Sequence, residues 1–319
     1  MKTGTIAFYN VENLFDVTDD PEKHENEYTP EGSRKWTKNR YENKIWKIAS
    51  VISELGLKET GEPPLFIGLA EIENDSVLED LIHSEHLIEH HYEYIHFDSL
   101  DERGIDNAIL YRKELVYPVK LEPIRLIYQH PNRVNDTDFS RDILYAVFRL
   151  KTQNIHTFVV HLPSRRDVDV NRDFRIQFLQ EIRARVNVIL SEDVNAKIVI
   201  MGDFNGNPND TDAQSILGTT KLTEFSSDEL FNPMLEMFPK SGSLKHQGRW
   251  ILFDQILFSK SFFTETEENL RFHSAHIYND RSVQEWDRRF KGSPFRTYAG
   301  RKYLGGYSDH FPVYAILNY

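Results

Sequence analysis

The sequence predicts an α/β chain in which short apolar strands alternate with amphipathic helices. Three observations predict it. Runs such as Leu65–Ala70 and Ile198–Met201 are continuous apolar stretches of strand length, the pattern of strands covered on both faces. Between such runs lie segments with apolar residues every three or four positions, the period of a helix face. Oxygen-bearing side chains follow directly on several of the apolar runs, so strand ends carry the chain's chemistry, where a buried strand fixes the first loop residues.

The 319 residues are 39% hydrophobic and 13% aromatic, enough for a large core. No repeat or linker-like shift in composition divides them, so residues 1–319 read as one domain, with no obligate partner chain and a monomeric state expected. No apolar run approaches the length of a membrane span. Met1-Lys2 leads into a strand with no apolar signal region; a cytoplasmic protein is expected if the chain is complete, an exported one if a leader has been removed. With no cysteine, disulfides, thiolate metal sites and a cysteine nucleophile are excluded. The net charge of −12, from 50 acidic and 38 basic side chains, disfavours metal-free binding of a polyanion. Carboxylates that hold divalent cations remove that obstacle.

In chain order, Thr5–Val11 reads as a strand ending near Asn10 and Glu12, two positions apart and on one face if the strand persists. A polar loop follows from Asp16 to Thr37. Asn39–Leu55 reads as a packing helix, with Ile45, Ile48, Val51, Ile52 and Leu55 on its stripe. The strand Leu65–Ala70 delivers Glu71, a carboxylate that needs a partner or cation at a buried strand end. Ser76–His91 reads as a helix whose His86 and His90 have zinc-compatible i,i+4 spacing, a solvated face being the better reading. Arg103–Arg112 is a turn entering a strand, with Arg103 and Asp106 as a candidate structural pair.

Strands at Ile143–Leu150 and Ile155–Val160 follow, the second running into His161, then Ser164, Arg165 and Arg166, all phosphate-binding types. Asn171–Ser191 reads as a helix with Phe174, Phe178, Ile182, Val186 and Ile189 on one stripe. It leads to the strand that holds out Asp203 and Asn205, with Gly202 and Gly206 allowing tight turning and close approach of a substrate. Asp203 can take a proton or hold water, and Asn205 can donate to an oxygen gaining charge. Trp250–Ser259 reads as one strand with Asp254 in its middle. Between Arg281 and Lys302 seven basic residues stand against two acids, with Trp286, Phe290, Phe295 and Tyr298 interleaved, a composition suited to stacking and phosphate contact. Asp309 and His310 precede a final strand.

The segments Tyr-Asn-Val-Glu-Asn, Ala-Glu-Ile-Glu-Asn, Val-His-Leu-Pro-Ser, Gly-Asp-Phe-Asn, Phe-Asp-Gln-Ile and Ser-Asp-His-Phe-Pro-Val, in this order, resemble the motifs of the endonuclease/exonuclease/phosphatase superfamily. The resemblance covers nearly the whole chain. It implies a DNase I-like four-layer αββα sandwich, two mixed sheets packed face to face with helices outside and the site at one end. By the family pattern Asn10 and Glu71 are metal ligands, with Glu12 and Asp309 assisting, for Mg²⁺ or Mn²⁺. Asp203 resembles the residue that orients or deprotonates the attacking water, and Asn205 the donor to the transition state. His310 resembles the phosphate-binding histidine held by Asp254, and His161 a second phosphate ligand or leaving-group acid. Ser164, Arg165 and Arg103 are candidate substrate-binding residues.

Glu12 departs from the Asp of many nuclease relatives, which puts its direct metal contact in question. His161-Leu-Pro-Ser is nearer to DNase-like and bacterial extracellular-nuclease patterns than to apurinic-site enzymes. The expectation is a metal-dependent nuclease acting on DNA or RNA. Its alternatives are a hydrolase of a small or lipid phosphate, such as an inositol phosphate or sphingomyelin, and a non-catalytic binding module.

Overall fold

Among the described residues thirteen strands make two large sheets, because the apolar runs are too short for helices and too rich in β-branched and aromatic residues to stay exposed. The computed structural model describes residues 2–19, 26–129, 137–165, 169–221, 225–264, 270–287 and 290–319. In chain order the strands are β1 (Thr3–Leu14), β2 (Phe66–Ile72), β3 (Tyr92–His96), β4 (Asp106–Arg112), β5 (Val116–Ile124), β6 (Ile143–Leu150), β7 (Gln153–His161), β8 (Lys197–Asp203), β9 (Thr219–Thr220), β10 (Leu230–Phe231), β11 (Asp254–Ser259), β12 (Arg271–Ile277) and β13 (Val313–Asn318). The six-stranded sheet runs β12-β13-β1-β2-β4-β3 and the seven-stranded sheet β9-β10-β11-β8-β7-β6-β5. Both are mixed: β1 is parallel to β2 and antiparallel to β13, and β8 is parallel to β7 and antiparallel to β11.

The sheets pack face to face through Ile6, Phe8 and Phe66 on one side and Phe148, Val199 and Met201 on the other. The rings of Phe66 and Phe148 stack across this interface with centroids 5.0 Å apart. Each such buried side chain contributes about 1.5–3 kcal/mol of transfer free energy. Helices α1 (Lys38–Glu54) and α2 (Asp75–Ile82) cover the outer face of the first sheet, and α3 (Arg172–Glu192) covers the second. Helix, sheet, sheet, helix is the four-layer α/β arrangement of the DNase I-like fold.

This architecture places the C-terminal ends of β1, β2, β7 and β8 at one end of the sandwich. Gly202 draws two of them together: a Cβ there would lie 2.1 Å from the carbonyl oxygen of Val160 on β7. The close approach needing glycine is thus strand to strand rather than to a substrate, and it sets Asp203 opposite His161 in register.

Several sequence expectations are corrected. The helix expected over 76–91 ends at Ile82, and a single 3-10 turn occupies Ile88–His90. Leu87 is wholly buried and pulls the chain back to the core, so His86 and His90 share no helix face. The His86 ring instead packs against Trp46 with centroids 4.8 Å apart. The strand expected over 250–259 is two, Arg249–Ile251 and β11. The break at Leu252 and Phe253 is held by Asn207 Oδ1, accepting from Leu252 N–H at 3.0 Å, and by Phe204 N–H, donating to the Phe253 carbonyl at 2.9 Å. Asp254 therefore opens its strand at the site end of the sheet. In the polar stretch 16–37, Trp36 is fully buried and its indole N–H donates to the Phe15 carbonyl at 2.9 Å. Among the described residues, no helix is long and apolar enough to cross a membrane.

Candidate active site

β1 does not keep its two-residue alternation through Asn10 and Glu12. It bulges there, with φ of +54° at Glu12 and +51° at Asn13. The bulge leaves Asn10 facing the centre of the site while Glu12 turns away from it. Asn10 Nδ2 donates to Glu71 Oε1 at 3.3 Å and Asp203 Oδ2 at 3.1 Å, and its Oδ1 accepts from Glu12 N–H at 3.1 Å. Glu71 sits at φ +70°, backbone strain of about 1–3 kcal/mol for a residue with a Cβ. Its second oxygen accepts from Asn13 N–H at 2.8 Å, so the bulge and the strained residue lock each other. Asn205, at φ +45°, donates its N–H to Asp203 Oδ1 and its Nδ2 to the Leu162 carbonyl, both at 2.8 Å. One amide hydrogen of Asn205 is thus committed to the scaffold.

Two histidines stand close to Asp203, and one of them also to Glu71. His161 Nε2 lies 3.7 Å from Asp203 Oδ2 and 4.0 Å from Glu71 Oε1. His310 Nε2 lies 3.9 Å from Asp203 Oδ2, and its Nδ1 is 2.7 Å from Asp254 Oδ2. The fold drives the two rings in opposite directions. Burial holds His161 well below the usual histidine range, and Arg141, Arg103 and His310 push the same way, so the ring is neutral. Burial also acts against charge on His310, but the carboxylates of Asp254, Asp309 and Asp203 outweigh it and raise its pKa well above the usual range. Asp203 is itself raised to about 6, chiefly by burial, against the pull of His310. Groups set apart in this way divide acid and base roles.

The other candidates lie further out. Glu12 Oε2 accepts from Thr297 N–H at 2.6 Å and stands 4.0 Å from the buried Lys44 ammonium. Burial raises the pKa of Glu12 and lowers that of Lys44. The pair anchors the 297–309 segment, since Lys44 also donates to Thr297 Oγ1 at 2.6 Å. Asp309 Oδ2 is taken by Arg296 at 2.9 Å, its Oδ1 lying 3.9 Å from His310 Nε2. Arg165 donates Nε to the Asn205 carbonyl at 2.6 Å and pairs with Asp210, bracing the Asp203–Asn205 turn. The Ser164 carbonyl accepts from Asn171. Arg103 pairs with Asp101 at 3.2 Å, not with Asp106; the turn between them folds back on Asp101 before β4 starts. Arg166, Arg288 and Arg289 lie outside the described residues.

Two residues here were not singled out from the sequence. Arg141 is buried and donates Nη1 to Asp101 Oδ2 at 3.1 Å, while its Nε and Nη2 have no hydrogen-bond partner among the described residues. With Arg103, Ser140 and Ser164 it lines a cavity of about 210 Å³ on the His161 side. A lone arginine before a strand carries no periodic signal that marks it. Ser308 is the second: its hydroxyl donates to the Asn10 carbonyl at 2.7 Å and accepts from His310 N–H at 3.1 Å. A cavity of about 240 Å³ on the His310 side is lined by Lys245, Phe290, Arg296 and Asp309.

The donor set fits a hard divalent cation. Glu71 Oε1 and Asp203 Oδ2 converge on one amide group, two carboxylate oxygens of the kind such dications take as ligands. Asp203, Asp254 and His310 also hold their ligand atoms within 4.8 Å of one another. Asn10, by contrast, presents its Nδ2 to the carboxylates.

Residues 5–319 match the model of the Endonuclease/Exonuclease/phosphatase family. The fold is similar to a humanized D. rerio TDP2, at 16% identity and TM-score 0.58, covering 99% of each chain. It is also similar to an endonuclease/exonuclease/phosphatase family protein from Bacteroides thetaiotaomicron (16% identity, TM-score 0.61, 99% of this chain and 95% of that one). A third is a mannosyl-6-phosphatase from Bacteroides thetaiotaomicron (14% identity, TM-score 0.58, 99% of each chain). Comparison with curated protein sequences finds no match. The chain belongs to the Endonuclease/Exonuclease/phosphatase family, a family of phosphoester hydrolases.

Proposed function

We propose that the protein is a divalent-metal-dependent nuclease that hydrolyses phosphodiester bonds by in-line attack of water. The observation that carries the reaction type is the meeting of Glu71, Asp203, His161 and His310 around Asn10, with the two imidazoles tuned in opposite directions. Glu71 would hold Mg²⁺ or Mn²⁺, with Asn10 beside it; when bound, such a cation polarises a phosphoryl oxygen and offsets the charge that builds on it. Asp203, fixed by Asn205 N–H and Asn10, holds the attacking water and takes its proton. His310, kept cationic by Asp254, donates Nε2–H to a non-bridging phosphate oxygen. Neutral His161 holds a second oxygen through Nε2–H. Arg141 and Ser140, with buried donors that lack a protein partner, bind an anionic group flanking the reacting phosphorus.

Nucleic acid as substrate is supported by the exposed ring of Phe290, which lines the cavity beside Asp309, and by the exposed ring of Trp286 in the same stretch of chain. Arg281 lies 4.2 Å over the Trp286 ring, and Arg296 reaches Asp309. Such basic–aromatic surfaces stack unpaired bases and meet phosphates. A TDP2 of similar fold has been crystallised with a single strand DNA product. A second reading, a phosphatase of a small phosphomonoester, is favoured by the net charge of −12 and by the small flanking cavities. The test is incubation with Mg²⁺ or Mn²⁺ and plasmid, single-stranded DNA, RNA and a panel of sugar and inositol phosphates. Nucleic-acid cleavage in excess of phosphate release supports the first reading. Phosphate release alone transfers the assignment to the second.

A further inference from the structure

A second group of side chains of metal-ligating type lies on the edge of the first sheet. His96 is the last residue of β3, Asp106 the first of β4, and Asp98 stands in the loop between them. One ligand atom from each falls within 4.8 Å of the others. An acidic cluster alone says little, but the histidine here is unusual. Its side chain is 3% exposed, and its Nε2 is buried with no hydrogen-bond partner. Nδ1 lies 2.9 Å from Asp75 Oδ1, and Nε2 is 3.6 Å from Asp106 Oδ2.

Asp75 thus takes one ring nitrogen, and the other, Nε2, faces Asp106 inside the fold. At 3.6 Å from Asp106 Oδ2, Nε2 is beyond ordinary hydrogen-bond reach. Ligands about 2.1 Å from a tetrahedral zinc stand roughly 3.4 Å apart, and the Nε2–Oδ2 separation of 3.6 Å accommodates such an ion. A carboxylate on the far ring nitrogen is the usual outer partner of a metal-bound imidazole, and Asp75 stands in that place. Asp106 is kept in place by Ser99 N–H, which donates to its Oδ1 at 3.2 Å. The neighbouring cation, Arg125, is already paired with Asp142 and donates to the Asp98 carbonyl at 2.9 Å. His96 is thus the basic group that stands between Asp75 and Asp106. Exposed Asp98 opens the gap between His96 and Asp106 to solvent and can close on the ion.

We infer that His96, Asp98 and Asp106 form a second cation site, of mixed nitrogen and carboxylate type, for a transition-metal dication such as Zn²⁺ or Mn²⁺. One imidazole and two carboxylates suit these ions better than Mg²⁺ or Ca²⁺, which take oxygen ligands. The site is a structural pin. It ties the end of β3 to the start of β4 and, through Asp75, to the start of α2. The Asp106 backbone pairs with Ile72, next to Glu71, and the loop it closes carries Asp101 and Arg103, which face Arg141. Occupancy thus stiffens one wall of the active-site cleft without touching the reacting groups.

The test is calorimetric titration of Zn²⁺ and Mn²⁺ into chelator-stripped protein carrying Glu71→Gln, which weakens the catalytic cation site, with thermal melts alongside. Binding of one ion with a rise in Tm is expected. Adding Asp98→Asn or His96→Gln is expected to weaken that binding at least tenfold and to abolish the rise. Asp98 is exposed, so Asp98→Asn folds even if His96→Gln does not. Zn²⁺ and Mn²⁺ isotherms unchanged by Asp98→Asn, or absent in the Glu71→Gln protein, would overturn the inference. That result would identify His96 as an imidazolium bridging Asp75 and Asp106. Neither outcome depends on which phosphoester the enzyme cleaves.

Discussion

His310 donates its Nδ1 proton to Asp254 across 2.7 Å, which turns Nε2 toward Asp203 at 3.9 Å. Asp254 is completely buried, and its Oδ1 has no partner among the described residues. That carboxylate is costly to the fold and is justified by the charge it maintains on His310. Asp254→Asn removes the charge and keeps the shape. It is expected to lower kcat by about 10²–10³-fold, the loss typical of one preorganised charge, with Tm unchanged or higher. Steady-state kinetics and a melt on the same preparation check both halves.

Asp203 supplies the pH dependence. Its folded pKa of about 6 means that the base is protonated, and inactive, below that value. The log of kcat/KM is expected to fall with unit slope as pH drops through about 6.

The same shift has a stability consequence of known sign. A carboxyl raised from 3.8 to about 6 by burial binds its proton more tightly in the folded chain than in the unfolded one. Its stabilising contribution is complete below the unfolded value and is lost as pH rises through about 6. Asp203→Asn, which mimics the neutral acid, is expected to raise the Tm of metal-free protein by a few degrees at pH 8 and to leave it unchanged near pH 3. Activity should be lost at both.

At the opposite end of the sandwich, Lys197 is 6% exposed, donates to the Ser261 carbonyl at 2.8 Å and lies over the Phe262 ring. Burial lowers its pKa from 10.5 to about 8. The unfolded chain therefore holds more protons between those values, and stability rises with pH across that window. Lys197→Met is expected to be more stable than the parent at pH 7, with the advantage gone by pH 10.5. Urea melts at the two pH values decide it.

Arg141 separates substrate holding from chemistry. Its unpaired Nε and Nη2 are read as donors to substrate, each charged hydrogen bond being worth about 1.5–3 kcal/mol. Arg141→Gln is expected to raise KM roughly tenfold or more. The pKa of His161, followed by NMR, should rise once a cation that depresses it is gone.

Much of this arrangement was legible in the sequence because it sits on strands. The buried runs Leu65–Ala70 and Ile198–Met201 announced both their own secondary structure and the positions of Glu71 and Asp203 just beyond them. What was not legible depends on backbone geometry without a residue signature. Glu12 was expected beside Asn10, but the bulge at positive φ rotates it to Lys44 and Thr297. Asp254 was placed mid-strand, since only the tertiary hydrogen bonds of Leu252 and Phe253 reveal the break. Arg141 has no mark in the sequence because its importance arises from atoms left unpaired among the described residues, a property no linear pattern carries. The 281–302 segment drew attention through its charge, yet Arg296 meets the site by pairing with Asp309.

The most direct measurement is hydrolysis of bis-p-nitrophenyl phosphate by chelator-stripped protein before and after return of Mg²⁺ or Mn²⁺, for the parent, Asp203→Asn and His310→Ala. Turnover is expected only in the metal-restored parent, with both variants at least about 10³-fold slower and still folded. Turnover that persists without metal, or at the parental rate in Asp203→Asn, would contradict the assignment of these residues to water activation and phosphate binding.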